Sequence, residues 1–155
     1  MLLKKVKKLN LNVNIVGISF HVGSQCESVD MWIKTLTTVL DIFKQAHKLG
    51  FDLNIINIGG GFPVNYTSEI NIVSMFKTIS KFITDNFGHD VRVFAEPGRF
   101  LVANAGVLVS KVIQVSERKN QKWVYLDAGI YHGLMEASQG IKLPIEFLPN
   151  SSSTS

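Results

Sequence analysis

With 155 residues, 46% of them hydrophobic and 18% charged, the chain is long enough to bury one ordinary core. No run approaches the roughly 18 consecutive apolar residues of a membrane span, and Met1-Leu2-Leu3-Lys4-Lys5 opens no long apolar region with a cleavage site behind it, so the reading is a soluble, cytoplasmic protein with no membrane partner. A single cysteine, Cys26, excludes an internal disulfide framework and reads as an ordinary thiol in a turn.

The net charge of +4 comes largely from Lys4, Lys5, Lys7 and Lys8. Leu2, Leu3, Val6 and Leu9 interleave with them at helical spacing, which predicts the solvated side of a helix end with lysines toward its C-terminus. No aromatic residue stands among them to stack bases, so nucleic acid is not expected as a partner.

Val13 to Phe20 is a mostly apolar, β-branched run bounded by polar residues, which predicts a buried parallel strand. The polar turn His21-Val22-Gly23-Ser24-Gln25 follows it. From Val29 the apolar positions Trp32, Ile33, Leu36, Val39, Leu40, Phe43 and Ala46 recur at three and four, predicting an amphipathic helix with Ser28 as N-cap and Gly50 as its stop. Leu53 to Ile58 predicts a second short strand, ending in Gly59-Gly60-Gly61-Phe62-Pro63. Ile72, Val73, Phe76, Ile79, Phe82 and Ile83 make a second helical stripe, closed by Gly88. Val91 to Ala95 predicts a third strand, with Glu96-Pro97-Gly98-Arg99 at its end. The order β-α-β-α-β implies parallel strands with right-handed crossovers.

After Arg99 the pattern changes. Phe100 to Ser116 is long, apolar and valine-rich, and Trp123 to Asp127 reads as another strand beyond the polar turn Glu117 to Lys122. No helical stripe separates them, so an antiparallel β region is expected, with a domain boundary near Phe100. Residues 149–155, ending Ser-Ser-Ser-Thr-Ser, are low in complexity and read as a disordered tail.

Each of the three turns follows a strand, and in a parallel α/β fold such turns gather at one end of the sheet, where sites are built. Three consecutive glycines let a backbone approach an anion closely and offer it successive N–H groups, although a tight turn alone also uses them. The spacing and following helix of a dinucleotide fingerprint are not met. Glu96 and Arg99 bracket a Pro-Gly turn and read either as a local ion pair or as an acid and a phosphate-binding fork. His21 reads either as a core histidine or, through its place at a strand end, as a contact to the same ligand. His47, His89 and His132 have no metal-ligand spacing.

Ser19-Phe20-His21-Val22-Gly23-Ser24, Asn57-Ile58-Gly59-Gly60-Gly61-Phe62-Pro63 and Ala95-Glu96-Pro97-Gly98-Arg99, in this order, closely resemble the fold-type III pyridoxal-phosphate decarboxylases, the family of eukaryotic-type ornithine, diaminopimelate and biosynthetic arginine decarboxylases. The resemblance runs from about Val13 to Leu148. It implies an α/β fold: residues 1–99 as the C-terminal part of an alanine-racemase-like (β/α)8 barrel that binds pyridoxal 5′-phosphate, and residues 100–148 as the start of a C-terminal antiparallel β domain.

The resemblance also implies roles. His21 matches the histidine that stacks on the pyridine ring; Ser24, Gly59, Gly60, Gly61 and Arg99 match the phosphate-binding groups, with Pro97 and Gly98 in the same cofactor-binding turn. Glu96 matches the acid that pairs with the ring nitrogen, and a carboxylate there keeps the ring protonated and able to accept electrons. Trp123-Val124-Tyr125-Leu126-Asp127-Ala128-Gly129 with Gly133-Leu134-Met135-Glu136 is most similar to bacterial ornithine or lysine/ornithine decarboxylases, and the Arg-Pro pair usual in diaminopimelate enzymes is absent. An amino acid of the ornithine or lysine class is therefore the implied substrate, putrescine the implied product, and a homodimer the implied state of the complete family protein.

A full barrel of this kind takes about 250 residues. The family's Schiff-base lysine is expected upstream of Met1, and its interface Cys-Asp segment beyond Ser155, so the chain alone is expected to be catalytically inactive. A partial barrel also leaves an unpaired edge at Val13 to Phe20, an association hazard, and poor solubility is expected of the chain on its own. The rival readings are a truncated homologue acting as a binding or regulatory module, and a diaminopimelate or arginine decarboxylase segment.

Overall fold

The computed structural model describes residues 2–9, 11–66 and 69–148; the serine-rich tail lies outside them. Three parallel strands, β1 (Gly17–Ser19), β2 (Ile55–Asn57) and β3 (Arg92–Phe94), form one sheet in the order β1-β2-β3. Gly17 faces Ile55, and Ile55 faces Arg92. α2 (Val29–Lys48) connects the first pair and α3 (Ile72–Phe87) the second, while α1 (Leu2–Leu9) precedes them.

The strands are shorter than the apolar runs that announce them. A few hydrogen bonds extend the β1–β2 ladder by about one residue at each end: the Asn54 and Ile55 N–H groups to Val16 O at 2.9 and 3.0 Å, and the Phe20 N–H to Asn57 O at 3.1 Å. Val13 is exposed, so the run that predicts a strand over Val13 to Phe20 continues past the point where β2 offers partners. An apolar run reports burial preference, whereas strand length is set by the neighbour. β1 and β3 are both edges of this sheet, so the described residues leave two free edges where one was expected.

Side chains spaced three and four apart on α2 and α3 close over β2. Trp32, Leu36 and Val39 of α2 and Met75, Ile79 and Ile83 of α3 cluster with Ile56, Ile58 and Phe62. The Trp32 and Phe62 rings stack with centroids 4.6 Å apart. Trp32 is fully buried, and its indole N–H has no hydrogen-bond partner among the described residues.

The ends of the helices follow local chemistry. Asn71 Oδ1 accepts the Ser74 N–H at 2.9 Å and starts α3, which stops at Gly88. Ser28 sits at the N-cap of α2 but its hydroxyl makes no capping bond; Asp30 in the first turn suits the helix dipole instead. Lys7 Nζ donates to Leu49 O at 2.7 Å at the far end of α2, so one of the four N-terminal lysines caps a helix and is more than solvated charge.

A short helix that the sequence does not announce, α4 (Gly98–Val102), starts directly after Pro97. The chain divides into two compact units, Met1–Val64 with Ile70–Ala103, and Asn65–Glu69 with Asn104–Ser155. The second unit carries an antiparallel hairpin of β4 (Val112–Arg118) and β5 (Gln121–Leu126). Its turn is tighter than expected: Glu117 pairs with Lys122 inside the ladder, and Lys119 and Asn120 take φ of 49° and 61°, as a two-residue hairpin loop that follows the strand twist requires. Asp127, just after β5, accepts from Ser110 Oγ and from the Lys111 N–H, both at 2.8 Å; these two bonds hold its carboxyl below the usual aspartate value.

Replacing Trp32 tests the core. Trp32→Ala is expected to destabilise the chain by about 3–5 kcal/mol, and Trp32→Phe, which keeps a ring and removes the unpartnered N–H, by about 1–2 kcal/mol. Urea unfolding at low micromolar concentration, followed by far-ultraviolet circular dichroism, measures both.

Candidate active site

The three turns meet beyond the ends of β1, β2 and β3. At the end of β1, the Gly23 N–H donates to His21 Nδ1 at 2.9 Å. Nδ1 is therefore an acceptor, and in the neutral ring the proton sits on Nε2. His21 is exposed, which removes the reading of it as a core histidine.

At the end of β2, the glycines are required by what stands against them. A Cβ on Gly59 would strike the Phe20 carbonyl oxygen, and one on Gly61 the Gly23 carbonyl oxygen. A Cβ on Gly60 would lie 2.7 Å from Glu96 O and 3.1 Å from His21 Nε2. Each glycine thus admits a neighbouring turn into the space a side chain would take. The Glu96 N–H donates to Gly59 O at 2.8 Å, and the Cys26 N–H to Gly61 O at 2.8 Å, so the glycine turn is bonded to both of its neighbours.

At the end of β3, Glu96 and Arg99 do not pair across their own turn. Glu96 Oε1 accepts from Asn57 Nδ2 at 2.6 Å, while Asn57 Oδ1 accepts the Gly59 N–H at 2.9 Å. Arg99 Nη2 donates to Ser24 Oγ at 2.8 Å, across 75 residues of sequence. Pro97 and Gly98 are placed in the backbone: Pro97 caps α4, and the Gly98 N–H donates to Glu96 O at 2.9 Å.

His21, the three glycines and Glu96 are thereby brought against one another, with the Ser24–Arg99 pair bonding the first turn to the third. His132 Nδ1 serves the Gly129 N–H at 3.3 Å, and the described residues contain no group of three metal-ligating side chains. Two participants were not read from the sequence. Asn57 left a faint signal as a polar residue just before the glycines in an otherwise apolar strand; Gln25, which pairs with Val64, left none.

The family described as "Pyridoxal-dependent decarboxylase, pyridoxal binding domain" matches residues 1–103. The chain belongs to the pyridoxal-dependent decarboxylase family. Among proteins similar to it, the lysine/ornithine decarboxylase of Selenomonas ruminantium is 38% identical over 132 residues, which cover 84% of this chain and 33% of that protein. The solved lysine/ornithine decarboxylase of Vibrio vulnificus complexed with putrescine aligns with a TM-score of 0.74 at 34% identity, over 92% of this chain and 39% of that one. The arginine decarboxylase of Paramecium bursaria Chlorella virus bound to agmatine aligns with a TM-score of 0.76 at 28% identity, over 97% and 41%. The chain thus spans about a third of the length of the first of these relatives. No helix among the described residues is long and apolar enough to cross a membrane.

The residues of this decarboxylase segment fit a phosphorylated pyridine. A carboxylate anchored by a carboxamide faces the same turns as an imidazole whose ring orientation is fixed, and a guanidinium and a hydroxyl meet beside three glycines that a Cβ would block. Gly60→Ala forces a methyl against the Glu96 carbonyl, so affinity for pyridoxine 5′-phosphate is expected to fall at least about tenfold. Gly106→Ala, whose Cβ would meet nothing within 4 Å, is expected to change nothing. Fluorescence titration of both variants measures the difference.

Proposed function

We propose that this chain is the part of a pyridoxal-phosphate-dependent decarboxylase that holds the cofactor's ring nitrogen and phosphate, and that the complete protein removes the α-carboxylate of a basic amino acid, ornithine first, to give a diamine. The observation that carries this reading is the pairing of Glu96 with Asn57 at the end of a sheet whose other strand-end turns bring Ser24 to Arg99. When bound, pyridoxal 5′-phosphate supplies an electron-accepting pyridinium ring. Glu96, on the carboxylate that Asn57 orients, would accept the ring N–H and hold that proton in place. His21, its ring oriented by the Gly23 N–H, would stack against the pyridine ring. Ser24, Arg99 and the N–H groups of Gly60 and Gly61 would hold the phosphate, while Gly59, whose N–H is donated to Asn57 Oδ1, would shape the turn around it.

In this reading residues 1–99 are part of the cofactor-binding (β/α)8 barrel and residues 100–148 begin the C-terminal β domain of a cytoplasmic homodimer. Ornithine is favoured over arginine or diaminopimelate by the Trp123–Gly129 and Gly133–Glu136 motifs. A second reading, a binding module without catalysis, draws on the positions of the lysines: none stands in the turns that follow β1, β2 and β3.

Immunoprecipitation from the source cells with an antibody to this segment separates the two. A product far heavier than 17.2 kDa that releases labelled CO2 from carboxyl-labelled ornithine is expected. A product of 17.2 kDa without release supports the module, and release from arginine or diaminopimelate alone reassigns the substrate.

A further inference from the structure

Gln25 carries none of the ring or phosphate contacts proposed above, and its conformation is unusual. Its φ is +53°, in the left-handed region that side chains other than glycine, asparagine and aspartate rarely occupy. In that conformation its half-buried carboxamide reaches the loop after the triple glycine. Nε2 donates to Val64 O at 2.7 Å, and Oε1 accepts the Val64 N–H at 3.1 Å. The side chain thus satisfies both backbone groups of a residue 39 positions away, as a neighbouring strand would. One residue later, the Cys26 N–H donates to Gly61 O at 2.8 Å. Three hydrogen bonds therefore close Gln25 and Cys26 onto Gly61 to Val64, while the Gly23 carbonyl fills the space beside Gly61.

Resting on the cofactor reading above, we propose that Gln25 is a positioning residue for the phosphate: its two-point bond to Val64 fixes the distance between the Ser24 hydroxyl and the glycine N–H groups. Ser24 adjoins Gln25 in the chain, and Gly61 lies three residues before Val64, so this bond ties the two turns together close to both sets of donors. A phosphate must meet both turns at once, and donors free to drift lose much of their joint effect. The carboxamide suits the task because it donates and accepts in one plane; a carboxylate would only accept, and a methyl group would do neither.

The test compares wild type with Gln25→Gly and Gln25→Ala on the full 155-residue chain. The glycine substitution relieves the left-handed backbone and loses the clasp; the alanine substitution loses the clasp and keeps the strain. The ligands are pyridoxine 5′-phosphate and pyridoxine, which lack the aldehyde that would react with lysines, and the quantity read is the ratio of their affinities.

Both variants are expected to lower that ratio about tenfold, the scale of one or two hydrogen bonds, through weaker binding of the phosphorylated ligand alone. Hydrogen–deuterium exchange should show faster exchange in the peptide containing the Val64 amide in both variants. A Gln25→Gly chain with the wild-type ratio would overturn the proposal, because backbone conformation alone would then suffice. Equal weakening of both ligands would overturn it too, as the mark of a general loss of structure. If wild type itself does not prefer the phosphorylated ligand, the phosphate reading fails and the proposal falls with it, an outcome distinct from unaltered variants of a discriminating wild type.

Discussion

Three backbone carbonyls, of Phe20, Gly23 and Glu96, stand where Cβ atoms on Gly59, Gly61 and Gly60 would lie. The site depends on that approach. Because the middle turn carries no side chains there, the turns after β1 and β3 can close on it from both sides, and the polar groups they bear come within hydrogen-bond range. A bulkier residue at any of the three positions would separate the turns before it altered any donor or acceptor. Steric permission comes first in this structure, and chemistry second.

Once the turns touch, a short set of bonds fixes them. Asn57 lies on β2 and spans from the Gly59 N–H to the Glu96 carboxylate, so the acid is held by the strand that supplies the glycines. Arg99 joins the outer turns through Ser24. The scaffold beneath is the sheet, with Ile56 and Ile58 packed under Trp32, Phe62 and the inner faces of α2 and α3. Since β2 is both the central strand and the source of the glycines and Asn57, core packing and site geometry share one element.

Much of this was legible in the residues. The β-α-β-α-β order followed from two helical stripes between three β-branched runs, and the motifs at the strand ends, with the resemblance they carry, pointed to a pyridoxal-phosphate site. The limits of the strands were not legible, because Val13 is as apolar as Ile18 yet has no partner strand beside it. α4 was hidden by its valine and phenylalanine, which read as strand formers, and becomes intelligible only with Pro97 at its start. Asn57 and Gln25 stand within the motifs, but their roles are not legible there because their partners are each 39 residues distant. A lone amide in a sequence says nothing of which backbone group it will meet; that information exists only after two turns have folded against each other.

The central claim is that these turns form one cradle for a phosphorylated pyridine. Hydrogen–deuterium exchange of the chain, read by mass spectrometry with and without pyridoxine 5′-phosphate, tests it most directly. Slowed exchange in the peptides containing Ser24 and Gly59 to Gly61, with Lys4 to Lys8 unchanged, is the expected result. Protection confined to the N-terminal lysines, or none at all, would contradict it, showing that the ligand meets surface charge and not the three turns.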